Sequence, residues 1–381
     1  MDQFFVPTEI VFGRGALESL GKVAARFGRQ ALVVCGAGFA RRSGLLQRTL
    51  EQLQGAGVAA TAYEAVRGEA NLSTVDDGIA LARRIEADVV IGLGGGSAID
   101  TAKAIAGTTP LPGSIWEYHG GRAIEAAGLP FIAVPTTAGT GAEVTKNAVL
   151  IDPRNNIKYS IRDDRWFARV AVVDPETTIS LSPEVTAHTG SDALCQAIES
   201  YTSIGANAIT DALALRAIEL IGAHLARAHA HPEDLGAREA MMYGSLMAGM
   251  AMASARLGGV HGMAHPLGSH YGIPHGEICG LLLPYTMAYN LEYTTPKYAQ
   301  VARALGLETH DLSEARAAQA AVDGVRDLLR SVGVPEHLRD YGVPVEDFDQ
   351  IIAESLPSGS LQHNPRPLAA EDVRRILEAA M

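Results

Sequence analysis

Short β-rich runs alternate with helical stretches along the first 180 residues, and this alternation narrows the possible folds more than any other feature. Residues 31–34 read as strand and 45–53 as helix; 58–63 as strand and 75–85 as helix; 88–93 as strand and 98–106 as helix; 131–134 as a further strand. Strands separated by helices pair in parallel, with the helices covering the sheet. Residues 144–151, 158–161 and 170–173 are additional strand candidates, the first two as a hairpin turning at Asp152, Pro153, Arg154 and Asn155. After Ser182 and Pro183 the pattern changes. Residues 186–200, 209–228, 237–256, 297–305 and 369–380 carry helical periodicity, and period-two alternation all but disappears. The expected organisation is an α/β domain over residues 1–182 followed by an all-α C-terminal domain over residues 183–381.

Composition removes several function classes. At 381 residues with 47% hydrophobic and 19% charged side chains, the chain can bury two cores. A net charge of −12 argues against a duplex-binding protein, which needs a basic face to displace counterions from phosphates. Cys35, Cys195 and Cys279 are few, odd in number and widely spaced, so a disulfide framework is not expected and a reducing cytoplasm is. No signal peptide is legible in the first ten residues. The most apolar stretch, 240–255, is broken by Gly and Ser and belongs in a core rather than a membrane.

Two loops carry binding chemistry. A buried strand runs into Gly94, Gly95 and Gly96, and Ser97 stands where a helix N-cap is expected. Glycines allow close backbone approach, and the N–H groups of a helix start favour a phosphate. The spacing is not the G-x-G-x-x-G of an ordinary dinucleotide fold. A second loop, residues 135–141, offers Thr136, Thr137 and Thr140 among glycines. Each loop alone could be a plain turn; two of them at the ends of neighbouring strands make the α/β domain a dinucleotide-binding one.

Four of the 12 histidines fall between residues 261 and 275. His261 and His265 are four apart, so on a helix they would share a face, and the Gly272-Ile273-Pro274 turn can fold His275 back towards them. Asp192 lies in a stretch dense in apolar residues, where it must cap a helix or bind something. Imidazoles with a carboxylate suit zinc or ferrous iron. His270 reads as an ordinary hydrogen-bonded residue.

At these residues the chain resembles the iron-containing (group III) alcohol dehydrogenases, which share a superfamily with glycerol dehydrogenase and dehydroquinate synthase. The resemblance rests on FGRGAL at 12–17, GGGSAIDTAK at 94–103, PTTAGTGAEVT at 135–145, AVVDPE at 171–176, DALCQAIESY at 192–201 and HGMAHPLGSHYGIPHG at 261–276, in one order along nearly the whole chain. It implies that Gly95, Gly96 and Ser97 hold a pyrophosphate with Thr136, Thr137 and Thr140 nearby. It places Asn71 and Lys158 against the nucleotide, Asp192, His261 and His275 on a metal, and His265 beside the nicotinamide as a proton relay. The implied activity is hydride transfer between NAD or NADP and a small alcohol, aldehyde or ketone, in a cleft between the domains of a homodimer or larger assembly.

Two departures from the family pattern matter. The family's metal helix reads Asp-x-x-x-His, whereas this chain has Gln196 at the second position, a weaker donor that makes zinc or a three-ligand site more attractive than iron. Many members also carry an acid after the first nucleotide-domain strand; here Cys35, Gly36, Ala37 and Gly38 are followed by Arg41 and Arg42, which leans towards NADP. Arg41 and Arg42 read equally well as solvated helix-start residues. The rivals are a metal-independent oxoacid reductase resembling maleylacetate reductase, a dehydroquinate synthase-like lyase, and an inactive scaffold. Near the C-terminus, Arg366 is expected in a structural salt bridge rather than beside an anionic substrate.

Overall fold

The computed structural model describes residues 3–381 except Asn156. The chain divides into two compact units, one of residues 6–137 and 141–180, the other of residues 181–381 with Ala138–Thr140 and residues 3–5.

The first unit contains strands β1 (Glu9–Phe12), β2 (Gln30–Gly36), β3 (Ala59–Val66), β4 (Val89–Gly94), β5 (Phe131–Pro135), β6 (Asn147–Asp152), β7 (Ile157–Arg162) and β8 (Val170–Val173). Its helices are α1 (Leu20–Ala24), α2 (Phe39–Arg42), α3 (Leu45–Gly55), α4 (Leu72–Arg84), α5 (Gly96–Thr108) and α6 (Ile115–His119). Six strands form one parallel sheet in the order β1-β8-β5-β4-β2-β3, and β6 and β7 pair as a separate antiparallel hairpin. Side chains of β2 alternate between two buried clusters, Ala31, Val33 and Cys35 on one face and Leu32 and Val34 on the other. Burial on both faces is why the strands read as unbroken apolar runs.

The chain steps from β2 outward to β3, then returns to lay β4 on the opposite side of β2 and continues to β5. Direction therefore reverses between β2 and β4, and in open α/β sheets ligands bind beyond the carboxyl ends of strands at such a point. The loops there are Gly36–Gly38 and the glycine run that ends β4.

The second unit is helical: α7 (Pro183–Thr202), α8 (Ala208–Ala230), α9 (Leu235–Ala255), α10 (Gly259–Tyr271), α11 (His275–Ala304), α12 (Glu314–Ser331), α13 (Phe348–Ser355) and α14 (Ala370–Ala379). Ser182 caps α7 by accepting from Val185 N–H, and Pro183 sits in its first turn, where a missing N–H costs nothing. The apolar stretch 240–255 is part of α9, which packs on α7 and α8. Among the described residues, no helix is long and apolar enough to cross a membrane. The helix expected at 297–305 is only the end of the 30-residue α11, which runs through Pro284 and Pro296. Packing compensates: Pro284 is buried among Leu281, Leu282 and Leu283. Neither α10, broken in the sequence by glycines and Pro266, nor α12 was expected.

Candidate active site

In the α/β unit the glycine run does what its composition allows. Gly94 has φ +154, and a Cβ on it would stand 2.7 Å from that of Ala98. A Cβ on Gly95 would come within 3.3 Å of the Thr137 side chain. Gly95, not Ser97, is the N-cap of α5, a correction to the sequence reading: Gly95 takes the extended conformation, so the helix begins one residue before the serine. The Gly95 carbonyl accepts from Ala98 and Ile99 N–H, leaving the N–H groups of Gly96 and Ser97 in the unbonded first turn. Thr136 is buried and its N–H donates to Gly94 O, tying the second loop to the first.

The other nucleotide-loop candidates have partners of their own. Asn71 caps α4, its Oδ1 accepting from Thr74 N–H at 2.9 Å. Lys158 Nζ donates to Glu69 at 2.7 Å. Thr140 belongs to the helical unit. Beyond β2, Arg41 is bound through two nitrogens to Glu64 of β3, at 2.9 and 2.5 Å, so it is an ion-paired rather than merely solvated residue. The Arg42 guanidinium folds over Gly38 and makes no hydrogen bond or ion pair among the described residues.

Sequence reasoning missed the buried network behind these loops. Lys103 of α5 is almost wholly buried; its Nζ donates to Ala142 O at 2.8 Å and Asn147 O at 2.7 Å, and pairs with Asp100 at 3.6 Å. Burial lowers the Lys103 ammonium and raises the Asp100 carboxyl, each partly offset by the other. Burial also pushes Glu143 up to about 7. The ammonium ties the middle of α5 to the segment that follows the threonine loop.

In the helical unit the histidines converge. Asp192 caps nothing: it lies in the middle of α7, buried, because the helix begins nine residues earlier at Pro183. Its Oδ1 stands 3.3 Å from His261 Nε2 and 3.9 Å from His275 Nε2 and has no hydrogen-bond partner. Its Oδ2 accepts from Gln196 Nε2 at 3.0 Å, and Gln196 Oε1 is buried without a hydrogen-bond partner. His261 Nδ1 donates to Glu199 Oε2 at 2.6 Å, and Glu199 Oε1 accepts Val260 N–H at 2.6 Å. Such a carboxylate fixes the ring and leaves Nε2 to face the cluster. His265 stacks on His275 with centroids 5.5 Å apart.

Cys279, one turn along α11 from His275, was not foreseen as a member. Its Sγ lies 3.9 Å from His261 Nε2 and 3.7 Å from His275 Nε2. Burial alone would lower His261, yet the Cys279 sulfur, Asp192 and Glu199 hold it well above the usual imidazole range. Burial alone would raise Cys279, yet a hydrogen bond from Cys195 and the two imidazoles hold it well below the usual thiol range. Oxygen, nitrogen and sulfur donors, all within 4.8 Å of one another, form a set that fits a divalent metal.

The remaining candidates are structural. His270 pairs with Glu354 at 2.8 Å. Arg366 forms no salt bridge among the described residues, contrary to expectation; its guanidinium stacks on Tyr289 at 4.0 Å and donates to Tyr289 O, while the nearby Asp372 accepts from the Tyr289 hydroxyl instead. Its neighbour Asn364 accepts Gly259 N–H at 3.1 Å and so holds the start of α10.

Residues 7–175 match the family model for iron-containing alcohol dehydrogenase, and residues 186–381 match that for the C-terminal part of the Fe-containing alcohol dehydrogenase family. The chain belongs to the iron-containing alcohol dehydrogenases. It is 37% identical over 382 residues to 1,3-propanediol dehydrogenase of Klebsiella pneumoniae, covering 100% of this chain and 99% of that one. It is 37% identical over 371 residues to lactaldehyde reductase of Escherichia coli K12, covering 97% of each. The crystal structure of a 1,3-propanediol oxidoreductase aligns with a TM-score of 0.97 at 37% identity, covering both chains in full. This alcohol dehydrogenase is thus an NAD(P)-linked, metal-dependent oxidoreductase acting on CH–OH groups, and the maleylacetate reductase-like and lyase readings are not favoured.

Proposed function

We propose that the enzyme interconverts a small alcohol and its aldehyde or ketone at a divalent metal held by Asp192, His261 and His275, with NADPH preferred over NADH. The observation that carries the metal assignment is the buried Asp192 Oδ1, which has no hydrogen-bond partner and faces two imidazole nitrogens. A buried carboxylate oxygen without a donor is costly unless a cation satisfies it. When bound, the metal supplies Lewis acidity to the substrate oxygen, and the nucleotide supplies or accepts hydride.

The chain's own residues then have separate tasks. Glu199 holds the His261 ring so that Nε2 points at the donors. His265 would pass a proton between the site and solvent, a role supported by its stacking on His275. Gly95, Gly96 and Ser97 present N–H groups to the pyrophosphate, with Thr136, Thr137 and Thr140 hydrogen-bonding along the nucleotide and Asn71 and Lys158 at its edges. Gln196 is an auxiliary, acting on Asp192.

The NADP preference rests on the reversal point of the sheet. The end of β2 carries Gly36 where an acid would repel a 2′-phosphate, and Arg42 is the uncommitted cation beside it. The three free, buried cysteines support a reducing, cytoplasmic setting.

Elemental analysis paired with oxidation of NADPH and NADH against small aldehydes is the first test. About one metal per chain, with turnover lost on chelation and restored by metal, is expected. Turnover in metal-free protein would remove Asp192, His261 and His275 from the chemistry. Arg42→Ala should raise the NADPH KM about tenfold and leave that for NADH unchanged; equal effects on both would remove the 2′-phosphate role.

A further inference from the structure

We infer that Cys279 is a direct metal ligand, its thiolate completing an Asp192–His261–His275–Cys279 donor set. This rests on the reading of Asp192, His261 and His275 as metal ligands and adds a fourth, of a different chemical kind, from another helix position.

The distances argue for ligation rather than neighbourhood. Around a tetrahedral zinc with bonds of about 2.3 Å to sulfur and about 2.0–2.1 Å to nitrogen and oxygen, sulfur and nitrogen stand about 3.6 Å apart, and oxygen and nitrogen about 3.3 Å apart. Here Cys279 Sγ lies 3.7 Å from His275 Nε2 and 3.9 Å from His261 Nε2. Asp192 Oδ1 lies 3.3 Å from His261 Nε2. The 3.9 Å from Asp192 Oδ1 to His275 Nε2 is wider than a tetrahedral edge and leaves that side open for a further, substrate-derived ligand. A ring nitrogen, a second ring nitrogen, a carboxylate oxygen and a sulfur therefore surround one point at metal-ligand spacing.

The sequence places them there by simple periodicity. His275 and Cys279 are four apart on α11 and share a face, and Asp192 presents its open oxygen from α7 to that same face. Gln196 is one turn from Asp192, where a second α7 ligand would stand, but its amide nitrogen is spent on Asp192 Oδ2. Its remaining carbonyl is a neutral donor, weaker than a thiolate for zinc. Cys195 is the other sulfur in the neighbourhood, but its Sγ approaches His261 at Nδ1, 3.8 Å away, the nitrogen that Glu199 already holds, and it groups with Glu199 and His261 rather than with Asp192 and His275. Only Cys279 is on the Nε2 side.

The test uses full-length enzyme stripped of metal and reloaded anaerobically with Co(II) or Zn(II), without thiol reductant. Expected for Co(II) is an intense near-ultraviolet thiolate-to-cobalt charge-transfer band in the parent, in Cys195→Ser and in Gln196→Ala, and its absence in Cys279→Ser. X-ray absorption of the Zn(II) form should show one sulfur near about 2.3 Å; this readout requires no variant. Metal affinity should fall at least about tenfold in Cys279→Ser. One metal per chain with nitrogen and oxygen neighbours alone, and a Cys279→Ser protein that binds as tightly as the parent, would overturn the inference while leaving the three-ligand site intact. A charge-transfer band lost in Cys195→Ser instead would overturn it in favour of the other sulfur. No stoichiometric binding of either ion would overturn both readings together.

Discussion

Gly276 offers a sharp test of how the helical unit builds its donor cluster. It follows His275 in the first turn of α11, and a Cβ added there would stand 2.1 Å from His188 O and 2.7 Å from His188 C, both backbone atoms of α7. Real Cβ contacts do not fall below 3.0 Å, so Gly276→Ala forces the two helices apart by about 0.9 Å (3.0 − 2.1). Neither side can yield by rotating a side chain. Overpacking of this kind costs about 1–3 kcal/mol, and contact with rigid backbone places the expected loss at the upper end, about 3 kcal/mol. A shift of that size also exceeds the ±0.2 Å or so within which ligands must be placed. Urea unfolding followed by the helical signal should show the stability loss, and Co(II) titration should show affinity falling at least about tenfold. Gly272→Ala is the control: its Cβ meets nothing, and its φ of +67 makes it a strain-only change of about 1 kcal/mol, with metal affinity retained. A Gly276→Ala protein no less stable than Gly272→Ala, with parental affinity, would refute the idea that this close approach positions His275.

Three further outcomes are expected. Glu199→Gln should keep the fold but reduce metal affinity about 10–100-fold, because the amide cannot hold the His261 ring as the carboxylate does; isothermal titration reads it, and Glu199→Asp should recover little given the 2.6 Å contact. Lys103→Met should cost about 3–5 kcal/mol in thermal or urea unfolding, since it strands Asp100 and two carbonyls in a dry interior. Glu143→Gln should flatten the pH dependence of stability: with the folded group pushed up to about 7 from the ordinary 4.5, the folded state holds a proton that the unfolded state releases between those values. The parent therefore loses about 3 kcal/mol as pH rises from about 4.5 to about 7 and no more above it; the Glu143→Gln protein, unfolded by urea across that window, should lack the slope.

Much of the α/β unit was legible because its strands are buried on both faces, so that each appears as a short apolar run with a helix after it. The glycine run after β4 was readable for the same reason. Elements of the helical unit were harder. A proline in a helix interior costs a hydrogen bond, yet α10 and α11 pass through Pro266, Pro284 and Pro296 because tertiary packing outweighs that loss. The site shows the same division. Residue type and spacing singled out Asp192, His261 and His275, and the structure brings the three together. Glu199 stands seven residues after Asp192, and Cys279 four after His275, spacings that put each on a ligand's own helix face, but carboxylates and cysteines are too ordinary on helices for that signal to stand out. Lys103 left no trace, since nothing in the chain announces that a lysine in the middle of a helix will be enclosed.

The place of β1 in the sheet has a consequence for how the polypeptide is made. Glu9 pairs with Val170 and Phe12 with Val173, so the strand of this sheet that is synthesised first pairs along its length with the one synthesised last. About 160 residues separate the partners, which at about 5–20 residues per second of synthesis is a wait of about 8–30 s. For that time the segment 9–12 is an unclaimed strand on a nascent chain, available to chaperones or to other copies of itself on the same polysome.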